Sequence, residues 1–166
     1  MTRVGLISDT HAPRHWKALP VAVARAFAGV DLILHAGDVC TPSVLDELTE
    51  LAPVHVALGN NDDDAVAAWG AVPVVAVEVA GVAVAVVHDS GARDGRGARL
   101  LRRFPTAGLV VFGHSHIPWD VTTGAQRAVN PGSPTDKRRQ PHGTLAVATL
   151  DDGRVRSVDF VEVTPP

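Results

Sequence analysis

The sequence predicts an α/β protein in which two packed β-sheets are flanked by helices. Three observations carry this reading. The first part of the chain alternates β-rich and helix-patterned runs in the order βαβαβ. A valine-rich stretch follows, over residues 74–87. The final third, from Pro118 on, consists of strand-like runs separated by turn residues.

Residues 4–8 are short, apolar and β-rich, and residues 17–28 then place apolar side chains at helical spacing. Residues 31–35 form a second strand. Residues 41–51 form a second helix, with Thr41 as its expected N-cap and Pro42 at its first helical position. A third strand is expected over 53–58. Residues 74–79 and 82–87 read as two strands turning at Ala80-Gly81. Residues 94–104 form a helix carrying Arg96, Arg99, Arg102 and Arg103, expected as a solvated face, and residues 108–112 are another buried strand. Turn signals then stand at Thr123-Gly124, Pro131-Gly132 and Asp151-Asp152-Gly153. The last of them joins a hairpin between residues 144–150 and 155–163.

Length and composition narrow the class. The 166 residues suit one domain spanning 1–166, with no repeat or linker to divide it. At 46% hydrophobic and 20% charged residues, the chain can build a core. A formal net charge of −3 gives no general electrostatic case for nucleic acid or an anionic membrane as partner. Cys40 is the only cysteine, which excludes a disulfide framework and a thiolate metal cage; it reads as a small buried hydrophobe. The N-terminus carries too short an apolar run for a signal peptide. The most lipid-like stretch, residues 71–87, falls short of the ~20 apolar residues that a spanning helix needs. A soluble, cytoplasmic protein is therefore expected. The valine-rich edge strands are compatible with pairing into a homo-oligomer or with being covered within one chain.

Chemistry concentrates where strands end. The first strand runs into Asp9-Thr10-His11, the second into His35-Ala36-Gly37-Asp38, and the third into Gly59-Asn60-Asn61-Asp62. His88 closes the 82–87 run, and Gly113-His114-Ser115-His116 follows the 108–112 run. Carboxyl ends of strands are where α/β sheets bind ligands. Polar residues commonly follow strands, so one such coincidence means little. Five together, all drawn from oxygen and nitrogen metal ligands, point to a metal site. In an extended segment residues i and i+2 face the same way, so Asp9 with His11, and His114 with His116, can each reach one site. Gly37, Gly59 and Gly113 permit unusual backbone angles and close approach beside the ligands. Asp38 has two oxygens with which to bridge two ions. Carboxylate, amide and imidazole together suit Mn, Fe, Co, Ni or Zn. Paired ions can clamp a phosphoryl oxygen and orient an attacking hydroxide.

The series Asp9-x-His11, Gly37-Asp38, Gly59-Asn60, His88 and Gly113-His114-x-His116 resembles the motifs of the calcineurin-like metallophosphoesterases. Its order and separations look closest to their small bacterial and archaeal phosphodiesterase branch, and Asn130-Pro131-Gly132-Ser133 strengthens that placement. The resemblance implies a four-layer αββα sandwich of two mixed β-sheets. It implies that Asp9, His11, Asp38 and His116 hold a first metal, and that Asp38 bridges to a second completed by Asn60, His88 and His114. Two divalent ions, Mn²⁺ foremost, would then hydrolyse a small phosphate ester by in-line attack of a metal-bridging hydroxide, with Asp38, Asn60 and His88 central to catalysis. The same fold also serves as a non-catalytic scaffold in eukaryotic membrane-sorting coats, which is the rival reading.

Two departures matter. Many relatives carry a His directly after the metal-binding Asn, where it protonates the leaving alkoxide; this chain has Asn61. An amide cannot act as a general acid, a role worth roughly 10²–10⁴-fold, so diesters and good leaving groups are favoured over alkyl monoesters. Where relatives often read His-Gly-His, this chain reads His88-Asp89-Ser90, and Asp89 adds negative charge near the mouth. Elsewhere, His35 reads as a structural hydrogen-bonding residue and His55 as a partly exposed strand residue. His15 and Trp16 read equally as pocket or surface loop, and His142 lies in a polar loop without a signal. Asp62-Asp63-Asp64 reads as a solvated loop with a helix cap, and Asn130 to Ser133 as a pocket-lining loop. The basic run Lys137-Arg138-Arg139 reads equally as a steering patch or a solvated loop.

Overall fold

The computed structural model describes residues 1–163. One mixed sheet contains β1 (Thr2–Ile7), β2 (Leu32–His35), β3 (Val54–Val56), β9 (Gly143–Asp151) and β10 (Arg154–Val163) in the order β10-β9-β1-β2-β3. The other contains β4 (Val74–Val79), β5 (Val82–Val87), β6 (Leu109–Val111), β7 (Trp119–Thr123) and β8 (Gln126–Asn130) in the order β4-β5-β6-β8-β7. In the first, β1-β2-β3 run parallel out to one edge with β9 and β10 antiparallel on the other side; in the second, β5-β6-β8 form a parallel centre with β4 and β7 antiparallel at the two edges. Parallel strands align their carboxyl ends, so the loops that leave β1, β2, β3, β5 and β6 can converge on one end of the molecule.

Alternation along the strands sorts side chains into layers. Val4 and Leu6 of β1, Leu34 of β2, Val84 and Val86 of β5, and Leu109 and Val111 of β6 share the core between the sheets. Their neighbours turn outward. Ile7 and Ile33 pack beneath α1 (Val21–Ala26), α2 (Ser43–Thr49) and α3 (Asp64–Trp69) through Val23, Leu45 and Val66. Ala85, Val87, Val110 and Phe112 pack beneath α4 (Arg96–Arg103) through Leu100. The expected four-layer α/β arrangement is what the molecule has. Gly5 shows how tightly the outer layer closes: a Cβ there would lie 2.9 Å from Cε1 of Phe27.

Several boundaries differ from the sequence reading. Helix α1 starts at Val21 rather than at 17, because Pro20 stands at its N-cap in extended backbone, with φ −64 and ψ 138. Thr41 does not cap α2. Its hydroxyl donates to the Ala12 carbonyl at 3.1 Å, while Pro42 occupies the cap position. Helix α3 went unpredicted as an element, although its cap did not: the Asp63 carboxylate accepts from the N–H groups of Ala65 and Val66. Both hairpin turns stand as expected. Ala80 and Gly81 have φ of 51 and 79, and Asp152 and Gly153 have φ of 46 and 70, the paired positive angles of a type I′ turn. Among the described residues, no helix is long and apolar enough to cross a membrane.

Candidate metal centre

The five loops at the carboxyl ends of β1, β2, β3, β5 and β6 converge, and their predicted ligand residues form two adjoining groups. In the first, Nε2 of His11 and Nε2 of His116 face each other at 3.2 Å, and Oδ1 of Asp9 lies 3.9 Å and 3.5 Å from them. In the second, Oδ1 of Asn60 is 2.9 Å from Nε2 of His88 and 3.0 Å from Nδ1 of His114. Asp38 stands between the groups: its Oδ2 is 3.6 Å from Nε2 of His11 and 3.4 Å from Nε2 of His88. All seven predicted residues are thus brought together.

The backbone that achieves this is strained. Asp9, His11, Asp38, His114 and His116 have φ of 56, 48, 55, 70 and 61, in the left-handed region that non-glycine residues seldom enter. Such conformations cost roughly 1–3 kcal/mol each and persist where the surroundings over-determine them. Here the flanking strands do so, because each fully buried aliphatic side chain contributes about 1.5–3 kcal/mol. The i, i+2 argument from extended backbone is corrected accordingly. His114 and His116 diverge, one into each group, because the chain between them turns rather than extends. Glycine is needed beside them mainly for close approach. A Cβ at Gly59 would overlap Asp38, and one at Gly113 would sit 2.7 Å from Oδ2 of Asp9.

A second ring of contacts fixes the imidazoles. Nδ1 of His88 donates to the Ala36 carbonyl at 2.7 Å, and Nδ1 of His116 donates to the Asp136 carbonyl, so each presents the Nε2 lone pair to its group. Fixing the tautomer through the far nitrogen is a hallmark of metal-ligating histidines. Oδ2 of Asp9 accepts from the Ser8 hydroxyl at 2.7 Å and the His114 N–H at 3.1 Å. Oδ1 of the same carboxylate is buried without a hydrogen-bond partner. Two imidazole nitrogens facing each other at 3.2 Å beside an orphaned carboxylate oxygen are an arrangement that a divalent cation satisfies, so the donor set fits metal.

Electrostatics follow the burial. Burial pushes Asp9 up to about 7, and holds His116 down to about 4 and His11 below its usual value. Asp38 is also penalised by burial, yet the contact with His88 and the N–H groups of Asn61 hold it well below the carboxylate range. Burial lowers His88 too, but the contact with Asp38 and the charges of Asp9 and Asp38 outweigh it and raise the imidazole.

Three residues act differently from their sequence reading. Asp62 is not a solvated loop residue. Its carboxylate accepts from the N–H groups of Asp38, Cys40 and Gly59 at 2.9, 2.7 and 2.7 Å, tying two ligand loops together. Asn61 donates to both oxygens of Asp38, from its backbone at 2.9 Å and its side chain at 2.8 Å. Trp16 is buried in the core behind the first loop, donating to Oε1 of Glu47 at 3.4 Å. The Asn130–Ser133 segment is likewise buried rather than lining a pocket. It straps the ligand loops from below: Nδ2 of Asn130 donates to the Gly113 carbonyl at 3.0 Å, and the Ser133 hydroxyl donates to the Asp9 carbonyl at 2.8 Å. Asp62 had a signal, an acid two residues beyond a predicted ligand. The Asp136 carbonyl had none, because any residue supplies one.

The remaining histidines stay outside the two groups. His35 is fully buried and driven down to about 3 by desolvation; its Nδ1 accepts the Gly37 N–H at 3.1 Å and Nε2 donates to Thr10 Oγ1 at 3.1 Å. That is the structural role expected of it. His15 sits beside the first group, with Nε2 3.8 Å from Asp136 Oδ2. His55 is exposed on β3, and His142 is 3.7 Å from Glu162. Cys40 is only half-buried, 3.7 Å from Nδ1 of His11, and burial pushes its thiol up to about 12, which removes it as a nucleophile. Asp89 is exposed, with its Oδ1 accepting the Gly91 N–H at 2.8 Å. Arg138 is exposed and reaches the His114 carbonyl at 3.5 Å, beside the site.

Comparison with known proteins agrees with this geometry. The calcineurin-like phosphoesterase superfamily domain matches residues 2–153. A probable metallophosphoesterase of Methanothermobacter thermautotrophicus is 36% identical over 98% of this chain and 94% of its own. A structure described as a novel archaeal phosphodiesterase superposes with a TM-score of 0.77 at 18% identity, over 98% of this chain and all of that one. Vps29 of Entamoeba histolytica, in complex with zinc, superposes with a TM-score of 0.78 at 23% identity over 98% of both chains. The last two show likeness of fold. The converging loops, the donor set and the match along nearly the whole chain lead to one conclusion: the chain belongs to the calcineurin-like phosphoesterase superfamily.

Proposed function

We propose that this chain is one domain, 1–166, working in the cytoplasm as a dinuclear metal-dependent phosphodiesterase on a small phosphate diester. The observation that carries the reading is the convergence of six further ligand-type side chains around Asp38, with Oδ1 of Asp9 orphaned among them. Asp9, His11, Asp38 and His116 would hold one ion, and Asp38, Asn60, His88 and His114 the other, with Mn²⁺ foremost and Fe, Co, Ni or Zn as the remaining candidates. Bound there, such ions supply Lewis acidity to a phosphoryl oxygen and activate water as the nucleophile.

The protein's own groups do the rest. Asn61 clamps both oxygens of Asp38 and so fixes the group shared by the two halves. The Ala36 carbonyl orients His88, and exposed Arg138 offers a cation to an incoming phosphate. No imidazole follows Asn60 to protonate a leaving alkoxide, and that favours diesters with good leaving groups over alkyl monoesters. The likeness in fold to Vps29, together with the missing acid, favours one second reading, a metal-binding scaffold for a protein partner.

Hydrolysis of bis-p-nitrophenyl phosphate by metal-stripped protein, before and after adding Mn²⁺, separates the two. The phosphodiesterase reading expects activity only with metal, and its loss in Asp38→Ala and His88→Ala. No turnover with two ions bound would support the scaffold.

A further inference from the structure

The second ligand group opens into a cleft of 340 Å³, and the cleft's far wall belongs to neither metal group nor core. Asn60, His88 and His114 line its inner end, and Leu58, Pro73 and Val87 make an apolar side. Arg103, at the end of α4, closes it. Arg103 also lines, together with Glu78, a 390 Å³ groove over β4 and β5.

Arg103 belongs to an arginine-rich patch whose neighbouring acids, Asp89 and Asp94, form no ion pair with it among the described residues. Arg93, Arg96, Arg99, Arg102 and Arg103 lie within eleven positions of one another, with Asp94 the one acid among them. Among the described residues, the arginine ion pairs are Arg127 with Asp120 and Arg156 with Asp151; none involves this patch. Besides Arg103, three of the five have internal partners, of which Arg93 stands 5.6 Å from the Trp119 ring. Arg99 donates to the carbonyls of Ser90, Ala92 and Asp94, and Arg96 is stacked between the rings of Phe112 and Trp119 at 4.9 and 4.8 Å. Arg103 has only the Phe104 ring, 5.0 Å from its Cζ, which steadies the guanidinium and leaves its N–H fork free. Asp89, the acid on the same cleft, has turned one carboxylate oxygen onto the Gly91 N–H. A single cation in the last turn of a helix is explained by the helix dipole. An unpaired guanidinium fork on the same cleft as the second ligand group is suited to a phosphate.

We propose that this cleft receives an ester arm ending in a second phosphate, which Arg103 binds while the metal centre holds the diester. The proposal rests on the phosphodiesterase reading and names its substrate class: a phosphodiester bearing a terminal phosphate.

The test uses Mn²⁺-loaded full-length protein and two phosphorothioate-linked thymidine dinucleotides, with and without a 5′-phosphate, which resist cleavage. Isothermal titration is expected to show about tenfold or more tighter binding of the phosphorylated one, a preference that shrinks with added salt. Arg103→Gln should erase the preference, and Arg103→Lys should retain part of it. Equal binding by the wild type, or an undiminished preference in Arg103→Gln, overturns the proposal; the latter would mean that the metals alone read the terminal phosphate. A thermal melt of Arg103→Gln, lowered with the preference intact, would likewise assign the residue to helix stability alone. Failure of the wild type to hydrolyse bis-p-nitrophenyl phosphate strikes the phosphodiesterase reading, whereas these binding outcomes strike the subsite.

Discussion

Around Asp9, His11 and His116 the ligand atoms are walled in: Asp9 and His116 are buried, and the strap from Asn130 to Ser133 lies beneath them. Around Asn60 and His114 both side chains are exposed at the rim of the 340 Å³ cleft, and only His88 of that group is buried. The difference teaches which half holds and which half works. A buried group with an orphaned oxygen is organised to retain an ion. An open group beside an apolar cleft leaves room for a substrate. Asp38 belongs to both, and Asn61 and Asp62 fix it from two sides, one through its carboxylate and the other through its backbone.

Removing the shared group should break the comparison outright. Asp38→Ala is expected to lower bis-p-nitrophenyl phosphate turnover by about 10³-fold or more and to reduce bound metal, checked by initial rates and metal analysis on the same samples. Asp62→Ala touches no predicted ligand atom. It frees three N–H groups of the Asp38 and Asn60 loops, and a loss of about 10–100-fold in metal affinity is expected from competition with a chelating dye.

Acid should weaken metal binding at both halves, because Asp9 in one and His88 in the other are both raised. Asp9 must lose a proton to bind a cation, and its pKa stands at about 7 in the metal-free protein. The affinity of the tighter ion should therefore fall about tenfold for each pH unit below 7, with protons released on binding, both measurable by calorimetry in two buffers. The sign for stability is opposite. A carboxyl raised from 3.8 to about 7 binds more protons folded than unfolded, so in that window Asp9 makes the metal-free fold less stable as pH rises.

The smallest effect expected is at the next residue along. Asp63→Ala removes the α3 cap for ~1 kcal/mol. It should lower the melting temperature by roughly 2–4 °C with metal affinity unchanged, which calorimetry and the same dye would show. Two adjacent aspartates would then differ as their contacts do.

What was legible in the sequence follows the same line. Strands β1, β5 and β6 were legible as short apolar, β-branched runs, because strand propensity is read locally, while the four layers came from the family resemblance. The seven ligand-type residues were legible because strand ends and oxygen or nitrogen donors are both read residue by residue. Helix α3 was missed because six residues give too short a helical pattern, and α1 was overextended because Pro20 fits the first turn of a helix as well as the place before it. The division of His114 from His116 could not come from spacing, since it depends on left-handed backbone that no side chain announces. Asp136 acts through its backbone carbonyl, which carries no residue signature, whereas Asp62 offered a carboxylate close to a ligand but no sign of which N–H groups it would bind.

A two-ion centre shared through Asp38 is tested by counting ions. Titration of metal-stripped protein with Mn²⁺ should show two ions per chain, one tight and one weak, and Asn60→Ala should lose the weak one alone. One ion in the wild type, or loss of the tight ion in Asn60→Ala, would contradict the account.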